Sequence, residues 1–149
     1  MDIYQQVCRH IVIPLHAIWE RTPYLRHLPY LEKSQFFPEE EIQSIQWEKI
    51  KNLLKHAYSN CSFYRSRFDV AGIRPDKIQS FNDYLSVPIQ TKADVINAKN
   101  DIYASNVAKF YPFLTTGSTG KPLQGFWDKK CSQFKRACAL RSSFWSGSR

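Results

Sequence analysis

"FYPFLTTGSTGKPLQGF", residues 110–126, sets three threonines, one serine, three glycines and one lysine between apolar and aromatic ends. The chain of 149 residues has only five glycines, so most of its glycine-borne backbone freedom sits in this one stretch. A phosphate group needs several donors converging on a small sphere. Backbone N–H groups supply them where no side chain blocks the approach, which is what glycine permits. Gly117 and Gly120 are placed for that, Thr115, Thr116, Ser118 and Thr119 add hydroxyl donors, and Lys121 adds a mobile positive charge. The stretch therefore reads as an anion site. The plain alternative is a flexible polar turn, a common use of Gly/Ser/Thr clusters.

The segment is not a Walker loop. That pattern needs glycine five positions before Gly120, where Thr115 stands, and a Ser/Thr after Lys121, where Pro122 stands. A Walker loop also opens a helix, whereas strand-like residues flank this one. Tyr111 to Leu114 reads as one strand and Leu123 to Trp127 as a second, a hairpin with a long tip. Asp128 then caps a final helix running to about Ser146, with Cys131, Phe134, Cys138, Arg141 and Trp145 at helical spacing.

Upstream the chain is helical. Apolar positions at Ile3, Val7, Ile11, Leu15 and Ile18 predict a core helix, broken or kinked near Pro14; the alternative is that the run from Ile11 to Leu15, with Trp19, touches a membrane surface. "PEEEIQSIQWEKIKNLLKHAYSN" gives the strongest helix, with Pro38 and three glutamates suited to its first turn and Asn60 as its stop. Its apolar stripe comprises Ile42, Ile45, Ile50, Leu53, Leu54 and Ala57. "FYRSRFDVAG" predicts a short helix ending at Gly72. Ser80-x-x-Asp83 and Thr91-x-x-Asp94 read as capping boxes opening helices over about 81–86 and 92–99. The fold class is α/β overall and α+β in this stretch of chain: mostly helical, then a strand–loop–strand hairpin and a helix.

The formal net charge is +8. From Lys121 to Arg149 seven basic residues face one acid, Asp128. Such a segment attracts anions, and its plain alternative is a solvated helix face. The four cysteines, Cys8, Cys61, Cys131 and Cys138, form no C-x-x-C pair, so no metal site is expected. Cys131 and Cys138 are expected to be buried. Met1-Asp2 opens acidic, with no basic stretch before an apolar run, and a cytoplasmic protein with reduced thiols is expected. No run is long enough for a transmembrane segment. His10, His16, His27 and His56 are taken as packing or surface residues.

"TTGSTGKP" resembles the phosphate loop of the adenylate-forming enzymes, a Ser/Thr-Gly-rich run ending in Gly-Lys-Pro between two strands. "LLKHAYSNCSFYRSRFDVAGI" and "FNDYLSVPIQTKADV" are similar to the helical N-terminal region of the phenylacetate–coenzyme A ligase branch. "PLHAIWERT", "LEKSQF" and "ALRSSFWSG" look most like its capsular-polysaccharide (CapK-type) subgroup. The resemblance implies a helical N-terminal region over 1–109 and the start of a nucleotide-binding domain over 110–149. It places Thr115, Thr116, Gly117, Ser118, Thr119, Gly120 and Lys121 around the β- and γ-phosphates of ATP. It further implies Mg²⁺, a small carboxylic acid that attacks the α-phosphate, and transfer of the acyl group to coenzyme A or another acceptor.

No counterpart of the family's adenine pocket, carboxylate pocket, metal-binding acid or catalytic lysine is found, so no catalytic residue is assigned. The chain is expected to be an N-terminal fragment, inactive alone. Two other readings stay open. One is a basic anion- or nucleic-acid-binding module, against which the aromatics do not interleave with the basic residues as in an RNA motif. The other is a structural piece pairing with a separately encoded remainder.

Overall fold

The computed structural model describes residues 3–107, 109–116 and 122–145. It is mostly helical, with one small antiparallel sheet of two strands. The chain divides into two compact units, residues 1–38 with 126–149, and residues 39–125.

In the first unit, α1 (Ile3–Val7), a π-helical turn (Cys8–Val12) and α2 (Ile13–Trp19) follow one another without a break. Pro14 lies in the first turn of α2. Proline offers no N–H and crowds the carbonyl four residues back. The strain is taken up just before it, where the Ile13 N–H reaches five residues back to the Cys8 carbonyl. The expected kink is thus a π turn. The expected core face is not a core: Ile3, Val7, Ile11, Leu15 and Ile18 are all exposed, and Ala17 is the buried residue of α2. The other face is held inward by Arg9, which pairs with Glu32 at 2.9 Å and lies 5.0 Å from the Phe144 ring centre.

A 3-10 turn at Tyr24–His27 leads into α3 (Leu28–Ser34), burying Tyr24 and Leu31. Against them lies α8 (Lys129–Trp145). Asp128 caps it as the sequence predicts, its Oδ1 accepting the Cys131 N–H at 2.6 Å. Its buried face is Gln133, Ala137 and Phe144. The predicted stripe through Cys131, Phe134, Cys138, Arg141 and Trp145 is out of phase with this. Cys131 and Trp145 are exposed, and Cys138 is half-buried. Polar contacts set the rotation of α8. Arg26 donates to Gln133 Oε1 at 3.3 Å, Arg141 donates to the Leu31 carbonyl at 3.2 Å, and the Trp145 indole N–H donates to Gln35 at 2.6 Å. Ala137, fully buried, lets α8 approach closely.

In the second unit, α4 (Glu39–Asn60) and α5 (Ser62–Val70) are joined through Cys61. Leu54 of α4, Phe68 of α5 and Ile78 form the core, with Trp47, Ile50, Tyr58, Ile73 and Val87 packed around them. The working face of α4 therefore runs through Trp47, Ile50 and Leu54, while Ile42 and Leu53 of the predicted stripe stay exposed. Gly72 ends α5 at φ +66, where a side chain would be strained. Its N–H bonds the Asp69 carbonyl at 3.1 Å and the Ile73 N–H bonds the Phe68 carbonyl at 2.8 Å. This double closure carries Ile73 back onto Phe68.

Both predicted capping boxes form, at the starts of α6 (Phe81–Tyr84) and α7 (Lys92–Ala98). The strands β1 (Tyr111–Leu114) and β2 (Gln124–Trp127) follow, close to their predicted bounds.

Two outcomes follow. Leu54→Ala should destabilise the second unit by about 2–5 kcal/mol through lost transfer energy and a residual cavity, measurable by urea unfolding. Acid should weaken the capping boxes only below the ordinary carboxylate range. The Asp83 carboxyl is held low by the N–H of Gln79, then by the Ser80 hydroxyl, and that of Asp94 by the Thr91 N–H, then the Thr91 hydroxyl. A lowered folded pKa stabilises above the unfolded value, about 3.9, and that stability is lost as pH falls through the lowered one. Asp83→Asn with Asp94→Asn should flatten the acid limb of a stability–pH curve.

Candidate phosphate-binding site

The hairpin holds its loop by a neck. The Thr115 N–H donates to the Leu123 carbonyl at 3.0 Å, and the Leu123 N–H donates to the Thr115 hydroxyl oxygen at 2.9 Å. Thr115 thus closes the loop with its main chain and its side chain together. The oxygen accepts at the neck, so the hydroxyl hydrogen remains available as a donor. Thr116, the next residue, is exposed. Gly117, Ser118, Thr119, Gly120 and Lys121 lie outside the described residues.

Gly125 answers part of the question the glycine-rich stretch raises. A Cβ built on it would overlap the ring of Phe113 on the facing strand. This glycine serves strand packing: only a bare backbone leaves room for the far end of the Phe113 ring beside β2. Sequence reasoning left it unassigned. The available signal was a lone glycine within a strand pattern, which marks a close approach.

The remaining chemistry is quiet. Burial pushes the Cys61 thiol up, and partial desolvation of the otherwise exposed Cys131, then Asp128, pushes its thiol up, with Lys135 opposing. Neither is an activated thiolate. Among the described residues, no group of three or more His, Cys, Asp or Glu side chains is placed to hold a metal ion. No helix among them is long and apolar enough to cross a membrane.

A second concave feature lies within residues 39–125. It is a cleft of about 540 Å³ with walls that include Leu53, Leu54, Phe68, Leu85 and Ile89. Arg67 lies on its wall, donating to the Ile89 carbonyl at 2.8 Å with Asp94 Oδ2 at 3.6 Å. Tyr64 donates to Gln90 Oε1 at 3.0 Å. These bonds tie the "SVPIQTKAD" segment to α5, a role for Arg67 that spacing alone did not show.

Substituting Gly125 by Val should push Phe113 off β2 at a cost of about 1–3 kcal/mol and open the neck. Amide hydrogen exchange at Thr115 and Leu123 should then quicken, while exchange in α4 stays unchanged.

No protein-family model matches the chain. It is 37% identical over 87 residues to the phenylacetate-coenzyme A ligase of Escherichia coli (strain K12), covering 56% of this chain and 20% of that enzyme. It is 32% identical over 106 residues to the phenylacetate-coenzyme A ligase of Aromatoleum evansii, covering 68% of this chain and 23% of that enzyme. The enzyme of that name from Thermus thermophilus is 28% identical over 101 residues, covering 62% of this chain and 21% of the relative. The matches thus span about a fifth of the length of these curated relatives. Over these stretches the chain is similar to phenylacetate-coenzyme A ligases.

Proposed function

We propose that the chain is the N-terminal part of an ATP-dependent carboxylate-adenylating ligase. Residues 1–109 are its helical N-terminal region and residues 110–149 the start of its AMP-binding domain. Thr115 to Lys121 grip the β- and γ-phosphates. The observation that carries this reading is the neck: a Thr/Gly/Ser/Lys loop held between two paired strands, closed by Thr115 and Leu123. The partial identity to phenylacetate-coenzyme A ligases agrees with it.

The donor set at the neck fits an anion. The Thr115 hydroxyl hydrogen and exposed Thr116 stand at the loop's entrance, and Lys121 follows in sequence. When bound, ATP supplies the phosphoanhydride that a carboxylic acid attacks. The loop's task is to hold and neutralise the pyrophosphate that leaves. Mg²⁺ is usually carried by substrate phosphates with one or two carboxylates. Here it would come with the nucleotide. The acid's pocket, the adenine pocket and the acyl acceptor site, for coenzyme A or another nucleophile, belong to further sequence, in the same or a separately encoded chain. The CapK-type branch is the subgroup we assign, on "PLHAIWERT", "LEKSQF" and "ALRSSFWSG", and a cytoplasmic location goes with it.

Calorimetric titration of the 149-residue chain with pyrophosphate and with ATP tests the loop. Lys121→Ala should weaken binding by about 10- to 100-fold, the loss of one charge-assisted contact of roughly 1.5–3 kcal/mol. Unchanged binding would return the loop to a plain polar turn. Carboxylate-dependent pyrophosphate exchange should stay at background, because positioning of the α-phosphate and acid carries this chemistry. Exchange well above background would show the chain to be active alone.

A further inference from the structure

The run from Ile3 to Trp19 turns its apolar side away from its own unit. Ile3, Val7, Ile11, Leu15 and Ile18 are between 41 and 81% exposed, and Trp19 is 80% exposed. The opposite side is engaged, by buried Ala17 and by the Arg9–Glu32 pair. This is an amphipathic helix whose apolar face is left exposed by the described residues of its unit. From residue 3 to residue 19 it carries Arg9, His10 and His16 and no acidic side chain. Charge is also unequal between the units. The first holds nine basic against three acidic side chains among its described residues, and the second ten against nine.

We propose that this face docks on an anionic lipid surface. A helix with an exposed apolar stripe, an exposed tryptophan at its end and no acidic side chain presents the apolar side of one lying in the plane of a bilayer interface. It buries its stripe at the boundary of headgroups and acyl chains, while the unit's net charge of +6 draws it to acidic headgroups. A second copy of the chain fits less well. Two such units would bring like charge together, and a helical seam between copies favours opposite charges along its flanks. Docking is surface-bound, since no described helix is long and apolar enough to span. The surface is independent of the phosphate loop.

Vesicle co-sedimentation of the 149-residue chain tests this at low and at physiological salt. Binding should be strong to phosphatidylserine-containing phosphatidylcholine vesicles, weak to pure phosphatidylcholine, and reduced by salt. The double substitution Ile11→Asp, Leu15→Asp should lower the bound fraction at least about tenfold. Both side chains are exposed, so far-UV circular dichroism should confirm an intact fold in the same sample. Binding that survives the double substitution, or no binding to acidic vesicles at low salt, overturns the proposal. Equal binding to neutral vesicles overturns the choice of an anionic surface. A dimer that the double substitution abolishes, without vesicle binding, assigns the face to a second copy instead.

Discussion

The meeting of Leu54, Phe68 and Ile78 is the constraint on which the second unit depends. It lies where a long helix, a short helix and the segment leaving that helix converge. Each arrives by a separate local device. Cys61 links α4 to α5, with its N–H bonded to the Ala57 carbonyl at 3.0 Å. Gly72 turns the chain so that Ile73 comes back over Phe68. The 3-10 turn at Pro75–Lys77 then delivers Ile78. With so few large side chains shut from water, no member of this cluster is redundant.

The parts legible in the sequence were those whose physics is local. The two capping boxes and Asp128 each satisfy orphan N–H groups within a turn of themselves, and the three glutamates lie in the first turn of α4, where negative charge suits the helix dipole. Gly72 was legible for the same reason. The hairpin was legible from its apolar strands and its glycine-rich tip, and the described strands fall within a residue of the reading.

What failed was the choice of face. On α8 the spacing suggested a stripe through Cys131, Phe134, Cys138, Arg141 and Trp145, yet the helix buries Gln133 and Ala137 beside Phe144. A glutamine that answers Arg26, and an alanine that allows close approach, outrank larger side chains there. Periodicity reports that a helix is two-sided and not which side its neighbour takes. Of the loop residues, only Thr115 and Thr116 are described. For Thr115 the sequence suggested a phosphate donor, and the structure adds a second duty, pinning the neck. That duty depends on strand register, which no single residue encodes.

The π turn at Cys8–Val12 has a consequence for the geometry of the N-terminal run. Ile3, Val7, Ile11 and Leu15 recur every fourth residue. A regular α-helix completes a turn in about 3.6 residues, so a strict four-residue repeat creeps around it by about 40° per step and about 120° over three steps. A stripe written that way would wind off its own face. A turn closed five residues back is underwound relative to its neighbours, and it takes back part of this creep midway along the run. The irregularity beside Pro14 thus acts as a phase corrector, keeping a four-residue rhythm of side chains close to one straight line.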